Sequence, residues 1–404
     1  MKLLGPFSQI ISMRGLPSAG PIGASQLEVI ENGGVLVEGD HIKDVGGYNE
    51  LRSQADVFEE IIEPSVLMPG LIDAHTHICF AGSRAGDYMR RLEGESYLDI
   101  SASGGGIMST VRHTRDADKA QLIDGILSRC KRLIGDGITT CEVKSGYGLS
   151  LEAEVKMLEA IAEANTKSPV TLVATCLAAH VCPPEFNSQI DYINHLVNDL
   201  LPEVVRRNLA KRADIFVERS AFGSESATKY LLTCKQLGLD VVIHADQFTI
   251  EGSHLAAEHQ VLSADHLEVS DEPSIRAMAK SGVIGVVLPG ATLGLGQHFA
   301  PARKMLDNGM CVVIASDWNP GSAPMGDLLT QAAVLGAAEK LTMAETLAGM
   351  TERAARALRL ADRGILTTGK RADMISFPTN DYREILYHQG SMKPNRVWVD
   401  GKSY

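Results

Sequence analysis

The stretch that decides the fold is residues 69–77, which read Pro69-Gly70-Leu71-Ile72-Asp73-Ala74-His75-Thr76-His77. Its apolar half has the character of a buried strand, and it ends in two histidines separated by one residue. Because side chains alternate between the two faces of a strand, His75 and His77 point to the same side. Two imidazoles on one face could bind one metal ion, although a lone His-x-His is also common without a metal.

Eight apolar runs with this strand character occur along the chain. From about residue 66 they alternate with helical patterns, which is typical of parallel strands joined by helices. The predicted strands are 67–75, 138–145, 170–180, 214–218, 240–244, 263–266, 283–288 and 311–317. Helices are predicted over 117–135, from Ser150 to before Pro169, and over 224–237, 271–281 and 340–359. Since eight strands close a barrel, the α/β pattern favours a TIM-like (β/α)8 barrel over a doubly wound open sheet.

The two ends of the chain follow a different pattern. Residues 34–46 alternate like a hairpin, and residues 395–402 repeat that rhythm. Neither end is long enough for a core of its own, so we expect strands from both termini to pair in one small β-sandwich domain. The predicted division is a composite β-domain, 1–64 and 366–404, and a barrel domain, 65–365.

Composition and charge limit the partners. The chain is 45% hydrophobic, which suffices for a large core, and its formal net charge is -12 without a Lys/Arg cluster. Nucleic acid and anionic membranes are disfavoured because both attract basic patches. No apolar run has the length of a signal peptide or a membrane span. The seven cysteines are scattered without a Cys-x-x-Cys pair, which indicates reduced thiols and a cytoplasmic protein.

Residues of metal-binding types close five of the eight predicted strands. These are His75 and His77 on the first, His180 on the third, His244 on the fifth, His266 on the sixth and Asp317 on the eighth. A barrel gathers the C-terminal ends of its strands at the active site. Each histidine alone could be an ordinary hydrogen-bonded residue, but that role does not predict the clustering. Three imidazoles and one carboxylate suit Zn²⁺ or Fe²⁺, with hydroxide held on the ion as the attacking group.

These residues occur together with longer motifs that resemble the metal-dependent amidohydrolases. The motifs are Phe80-Ala81-Gly82-Ser83-Arg84, Ser103-Gly104-Gly105-Gly106-Ile107, Lys144-Ser145-Gly146-Tyr147-Gly148-Leu149, His244-Ala245-Asp246-Gln247 and Ser316-Asp317-Trp318-Asn319-Pro320-Gly321-Ser322. The resemblance extends over nearly the whole chain. It implies a homodimer that hydrolyses a ring amide in a small-molecule substrate, an imidazolone carrying a propanoate side chain.

The resemblance also implies roles for the residues at the metal. His75, His77, His244 and Asp317 would hold one divalent ion, and Asp317 could also take a proton from the bound water. His266 would be a proton-transfer or oxyanion partner. Lys144 raises a two-metal alternative, because a carbamylated lysine can bridge two ions. The bridging lysine of binuclear relatives closes the fourth strand, however, where this chain has Glu218, so Lys144 is predicted to hydrogen bond or pack.

A second group of residues would bind the substrate. A propanoate needs a cation, and the bidentate guanidinium of Arg84 suits it, although a surface salt bridge is the alternative for this residue. By the resemblance, Tyr147 and His180 would join Arg84 around the substrate. The resemblance also places three residues near the acyl or formimidoyl end, namely Asn319, Gly321 and Ser322.

Gln247 separates the activities within this family. Ring deaminases with a similar metal set have a glutamate three residues after the histidine of the fifth strand, where it shuttles protons. An amide cannot act in that way, so Gln247 disfavours deamination and is predicted to hydrogen bond the ring and assist catalysis. The alternatives are another cyclic amidase or a ring deaminase of this family, and a metal-binding scaffold without activity.

The run Gly104-Gly105-Gly106 is a further candidate feature. It lacks the Gly-Lys-Ser/Thr ending of a phosphate-binding loop. We therefore interpret it as part of a flexible loop, residues 100–115, that could cover the active site and exclude water from the reaction.

Overall fold

Eight parallel strands form a barrel in the computed structural model, which describes residues 1–95, 99–100 and 103–404. In order they are Leu71–Asp73, Ile138–Lys144, Thr171–Ala179, Arg212–Phe216, Asp240–Ala245, Ser263–His266, Ile284–Val287 and Val312–Ile314, hereafter barrel strands 1 to 8. Each strand pairs in parallel with the next one along the chain. An isolated bridge between Thr76 and Trp318 joins the ends of the circle. The predicted (β/α)8 barrel is therefore confirmed, and the alternative of a doubly wound open sheet is wrong.

Helices alternate with these strands as predicted. They are Ala85–Leu92, Gly106–Asp116, Lys119–Gly135, Leu151–Lys167, Gln189–His195, Leu201–Arg206, Ser224–Gln236, Gly252–Glu258, Glu272–Ser281, Pro289–Leu295, Ala302–Asp307, Leu328–Glu339, Met343–Gly349 and Glu352–Ala357, with two short ones outside the barrel, Tyr48–Leu51 and Arg383–Tyr387. The hydroxyl of Ser150 accepts the amide hydrogen of Ala153 at 3.3 Å, which confirms the predicted helix start. Within the described part of the chain, no helix is long and apolar enough to span a membrane.

The single helix predicted over 340–359 is wrong, because two helices occupy this segment. The break falls at Met350 and Thr351, and Thr351 has the non-helical angles φ -132° and ψ -97°. The carbonyl of Met350 accepts the amide hydrogen of Ile72 in barrel strand 1 at 2.8 Å. This contact with the barrel takes the carbonyl out of the helical ladder, and sequence periodicity cannot reveal it.

A second sheet combines both termini, as predicted. Its strands are Lys2–Ile11, Val29–Glu38, His41–Gly47, Val57–Glu60, Val66–Pro69, Met374–Phe377, Arg396–Val399 and Lys402–Ser403. Two strands lie between those of Phe7 and Trp398, which would separate the two residues by about 14 Å in a flat sheet. Their ring centroids are only 6.1 Å apart. The sheet therefore folds back around a core of its own.

The first predicted strand, 67–75, is divided between the two sheets. Val66–Pro69 pairs with Lys2–Ile11 and Met374–Phe377 in the terminal sheet, whereas Leu71–Asp73 begins the barrel. Gly70 lies where the chain passes from the terminal sheet to the barrel, and a Cβ atom at this position would overlap the side chain of Thr139. The domain boundary predicted after residue 64 thus precedes the change of sheet, because Val66–Pro69 still belongs to the terminal sheet.

The glycine run is the start of a helix rather than a continuous loop. Gly106 begins the helix Gly106–Asp116, and its amide hydrogen is accepted by Oδ2 of Asp87 at 2.9 Å. A carboxylate at a helix start stabilises the helix, which explains why residues 106–115 of the predicted loop are helical. Residues 101 and 102 of that loop lie outside the described residues.

Candidate active site

Three histidines converge at the C-terminal end of the barrel. His75 and His77 follow barrel strand 1, and His244 lies in barrel strand 5. Nε2 of His77 is 3.2 Å from Nε2 of His75 and 3.4 Å from Nε2 of His244. All three side chains are buried. The strand ends therefore bring together the ligand types that the sequence places there.

Asp317 joins this group from the segment that follows barrel strand 8. Its Oδ1 atom lies 3.6 Å from Nε2 of His75 and 3.3 Å from Nε2 of His77. The backbone amide of Asp317 donates to the carbonyl of His75 at 3.0 Å, which ties the two strand ends together. Oδ1 is buried and accepts no hydrogen bond from the described residues, so this oxygen is available to a ligand.

The three histidine nitrogens fit one divalent metal ion, and Oδ1 of Asp317 lies beside two of them. Neighbouring donors lie 3.2 to 3.6 Å apart, and the ligands of a tetrahedral zinc are about 3.3 Å apart when its bonds are about 2.0 to 2.1 Å. Burial lowers the pKa of His77 to about 3 and that of His244 to about 4, and it lowers the pKa of His75 well below its usual value. The imidazoles are therefore neutral at pH 7, as metal binding requires.

A buried network of charges lies behind the histidines. Nδ1 of His75 is 2.6 Å from Oδ2 of Asp265, and Nδ1 of His244 is 3.1 Å from Oδ1 of Asp214. Nζ of Lys144 is 2.8 Å from Oδ2 of Asp214 and 3.8 Å from Oδ2 of Asp265. It also donates to Glu142 at 2.8 Å. Lys144 thus makes a hydrogen bond, as the sequence predicts, and its ammonium group forms ion pairs with the surrounding carboxylates.

The pKa values in this network follow from its mixed charges. Burial alone would lower the pKa of Lys144, but the carboxylates of Asp214, Glu142 and Asp265 raise it above its usual value. Burial raises the pKa of Asp265 to about 7, whereas His244 and Lys144 hold that of Asp214 below its usual range although burial opposes them. Sequence reasoning missed Glu142, Asp214 and Asp265; the available signal was a carboxylate inside or beside an apolar run.

His266 lies beside the metal-ligand cluster. Its ring centroid is 5.3 Å from that of His244 and 6.0 Å from that of His75. Nδ1 of His266 is 3.4 Å from Oε1 of Glu268. Burial alone would lower the pKa of His266, but the charge and hydrogen bond of Glu268, together with Asp317, raise it. Glu268 was not predicted from the sequence, where its only signal is its position two residues after His266.

Aromatic rings form one side of the site. The His180 ring stacks on His77 with 5.4 Å between centroids and an angle of 22°, and Tyr147 is 5.5 Å from His180. Phe216, which was not predicted, lies 6.3 Å from His180 and 5.7 Å from His244. The structure therefore places the two predicted rings, His180 and Tyr147, together against the histidine cluster.

The loop that carries Tyr147 is held by Glu154. The carboxylate of Glu154 accepts backbone hydrogens from Gly146 at 3.0 Å, Gly148 at 2.7 Å and Leu149 at 2.8 Å. Glu154 is completely buried although it lies in the first turn of the helix Leu151–Lys167. A buried carboxylate with three backbone donors fixes the path of the loop and hence the place of Tyr147.

Arg84 and the turn after barrel strand 8 form a second group. Nε of Arg84 donates to Asp87 at 2.9 Å, and a Cβ atom at Gly321 would overlap the guanidinium of Arg84. In the turn, Oδ1 of Asn319 accepts the amide hydrogens of Gly321 at 2.7 Å and Ser322 at 2.8 Å. The amide hydrogens of Gly321 and Ser322 are therefore already bonded inside the turn, and Arg84 lies against this turn. The contacts of Asn319, Gly321 and Ser322 with a substrate stay a prediction.

Gln247 is buried in the loop that follows barrel strand 5. The next two residues in this loop, Phe248 and Thr249, donate their amide hydrogens to Glu218 at 3.0 and 3.1 Å. Glu218, two residues after barrel strand 4, thus anchors the loop. Gln247 itself makes no hydrogen bond to any residue that the structure describes, so its role at the substrate stays a prediction.

The barrel and its buried histidine and aspartate donors define a metal-dependent hydrolase. The profile of the amidohydrolase family matches residues 66–404, and the chain belongs to this family. Its relatives narrow the class to the imidazolonepropionases. The chain is 39% identical over 398 residues to the imidazolonepropionase of Yersinia enterocolitica, covering 98% of this chain and 96% of that protein. It is 40% identical over 383 residues to that of Acinetobacter baumannii, covering 93% and 95%.

Solved structures share the fold at much lower identity. An adenosine deaminase from Xanthomonas campestris with bound zinc superposes with a TM-score of 0.73 and 18% identity, covering 100% of this chain and 92% of that chain. An atrazine chlorohydrolase from Arthrobacter aurescens complexed with zinc gives a TM-score of 0.68 at 16% identity, covering 100% and 95%. These similarities support the fold assignment alone.

Proposed function

We propose that the chain hydrolyses the ring amide of 4-imidazolone-5-propanoate to N-formimidoyl-L-glutamate, a step of histidine degradation. The observation that carries the proposal is the buried cluster of three histidines and Asp317, in a chain 39% identical to an imidazolonepropionase. The donors suit both Zn²⁺ and Fe²⁺. Zinc is the first ion to test, because two structural neighbours are described with zinc.

The chain's own residues can move the protons of this reaction. A divalent ion held by the cluster would polarise the ring carbonyl and lower the pKa of a coordinated water. Burial raises the pKa of Asp317, although His266 and His244 oppose it, so its carboxylate is a stronger proton acceptor than an exposed aspartate. His266, with its raised pKa, can supply the proton that the ring nitrogen gains when the C–N bond breaks.

The second group of residues accounts for substrate binding. We assign the propanoate to the guanidinium of Arg84, which Asp87 holds through Nε and which can pair with a carboxylate through its Nη atoms. The rings of Tyr147 and His180 would pack against the flat imidazolone. Gln247 would hydrogen bond its polar edge. Asn319, Gly321 and Ser322 would act by shaping the turn beside Arg84.

An assay with purified protein tests this function directly. The imidazolone absorbance should fall, and mass spectrometry should show N-formimidoyl-L-glutamate in equal amount. A parallel reaction with an aminated ring as substrate should be assayed for ammonia, because its release would indicate a deaminase. A metal-loaded protein that turns over no imidazolone propanoate would show that the substrate assignment is wrong, and an unchanged rate after chelation would contradict the metal site.

We also propose that the protein acts as a cytoplasmic homodimer. All seven cysteines are unpaired in the structure, which suits a reducing compartment. Light scattering combined with size-exclusion chromatography will measure the mass, and a value equal to one 43.4 kDa chain would contradict the dimer.

A further inference from the structure

We propose that Lys144 is the positioning residue of the metal site: its ammonium holds both aspartates that fix the Nδ1 atoms of His75 and His244. In this arrangement the Nε2 atoms of the two histidines are aimed at a common point. The inference rests on the metal site of the proposed function and is independent of the substrate.

The contacts form a continuous chain from the lysine to both ligands. Nζ of Lys144 is 2.8 Å from Oδ2 of Asp214, and the two oxygens of this carboxylate lie 3.0 and 3.1 Å from Nδ1 of His244. It is 3.8 Å from Oδ2 of Asp265, and this same oxygen lies 2.6 Å from Nδ1 of His75. One ammonium group therefore reaches two of the three ligand histidines, each through one carboxylate.

The barrel explains why these three charged groups meet. Lys144, Asp214 and Asp265 belong to barrel strands 2, 4 and 6, and alternate strands of a (β/α)8 barrel contribute side chains to the same interior layer. Each of the three is at most 1% exposed. Buried carboxylates need a cation close by, and Lys144 is the cation that lies between these two aspartates.

His77, the third histidine of the cluster, has no carboxylate at its Nδ1 atom among the described residues. Its Nδ1 atom is buried and has no hydrogen-bond partner in the described part of the chain, although its Nε2 atom lies 3.2 Å from that of His75. The network thus orients His75 and His244 specifically. Hydrogen bonds to the second nitrogen of a ligand histidine fix its tautomer and ring orientation, and their loss typically weakens metal binding by about 10- to 100-fold.

Glu142 provides a matched control. It binds Nζ of Lys144 at 2.8 Å and accepts the amide hydrogen of Thr76 at 3.3 Å, but none of its hydrogen bonds or ion pairs to described residues reaches a ligand histidine. Glu142→Gln therefore changes the charge of the network without removing either aspartate–histidine contact. The double variant Lys144→Met/Glu142→Gln removes one charge of each sign, so the net charge of the pocket stays that of the native protein.

The experiment measures zinc affinity by chelator competition in the full-length protein, together with the d–d spectrum after cobalt substitution and the melting temperature. Glu142→Gln should bind zinc within about threefold of the native protein. Lys144→Met and the double variant should bind it about 10- to 100-fold more weakly, with an altered cobalt spectrum that reports the displaced imidazoles. If Lys144→Met alone does not fold, the charge-balanced double variant tests whether Lys144 positions the two histidines.

Two results would overturn the inference, one by rejecting the role of Lys144 alone and the other by rejecting the metal site as well. A folded double variant that binds zinc as tightly as Glu142→Gln, with an unchanged cobalt spectrum, would show that Lys144 does not position the ligands. A native protein that binds no divalent ion would reject the metal site of the proposed function, and the role of Lys144 with it.

Discussion

Nε of Arg84 donates a hydrogen bond of 2.9 Å to Oδ2 of Asp87, and the same oxygen accepts the amide hydrogen of Gly106 at 2.9 Å. Asp87 therefore holds the guanidinium by one edge and joins it to the start of the helix Gly106–Asp116. An arginine held in this way is oriented before a ligand arrives, which reduces the entropy lost on binding. The salt bridge that was the alternative for Arg84 is present, with Asp87 as its partner, and the binding of substrate by Arg84 stays a proposal.

Arg84→Lys should weaken substrate binding more than catalysis. A lysine keeps the charge but loses the bidentate geometry and the Nε contact with Asp87. We expect KM to rise about 10- to 100-fold, as loss of a charged hydrogen bond predicts, with kcat within a few-fold. Asp87→Asn should raise KM by a smaller factor because Arg84 remains. Initial-rate kinetics will measure both, and an unchanged KM in Arg84→Lys would exclude Arg84 from propanoate binding.

Asp317→Asn should abolish turnover without unfolding the barrel. The substitution removes a proton acceptor and replaces the carboxylate of the proposed metal cluster by a neutral amide, so kcat/KM should fall by about 1000-fold or more. Circular dichroism and thermal melting check that the variant is folded. Asp199→Asn is a suitable control because Asp199 also pairs with a histidine, His195 at 2.8 Å, but on the surface. An active Asp317→Asn variant would refute the proposed role.

The locations of the proposed metal ligands were predictable because barrel geometry is general. Once eight strands are recognised, their C-terminal ends must meet, and strand alternation places His75 and His77 on one face. The same reasoning predicts that His180, His244 and Asp317 lie together with them at the C-terminal end of the barrel. The structure agrees in each case because these positions depend on local periodicity and on the closure of the barrel.

Other features depend on contacts between distant parts of the chain. Asp214 and Asp265 meet Lys144 only inside the closed barrel, and Asp87 reaches Gly106 across 19 residues. The break at Met350 follows from its hydrogen bond to Ile72. A sequence pattern records the burial of such residues but not the partner that each one meets, so they could not be predicted.

Glu268→Gln should change the pH dependence of the reaction. Burial lowers the pKa of His266, but Glu268 and Asp317 raise it above its usual value. A step that needs the protonated imidazole is active below this raised pKa and is lost as the pH rises through it. Removal of the Glu268 charge should lower the pKa of His266, so the alkaline limb of the kcat profile should move to lower pH. Glu272→Gln, at an exposed position, should leave the profile unchanged, and an unmoved limb in Glu268→Gln would contradict the proton donor.

Gly70→Ala should destabilise the junction between the two sheets. A Cβ atom at residue 70 would overlap the side chain of buried Thr139, and such overpacking costs about 1 to 3 kcal/mol. Gly86→Ala is the control: no neighbour lies within 4 Å of its added Cβ, and a helical Gly→Ala change stabilises by up to about 1 kcal/mol.

Thr139→Ala separates this overlap from other effects of Gly70→Ala. It removes two of the three Thr139 atoms that meet the added Cβ, so Gly70→Ala should be less damaging in the Thr139→Ala background than in the native protein. Denaturant unfolding of the four proteins in the cycle gives the interaction free energy. Equal destabilisation in both backgrounds would show that contact with Thr139 is not the reason for glycine at the change of sheet.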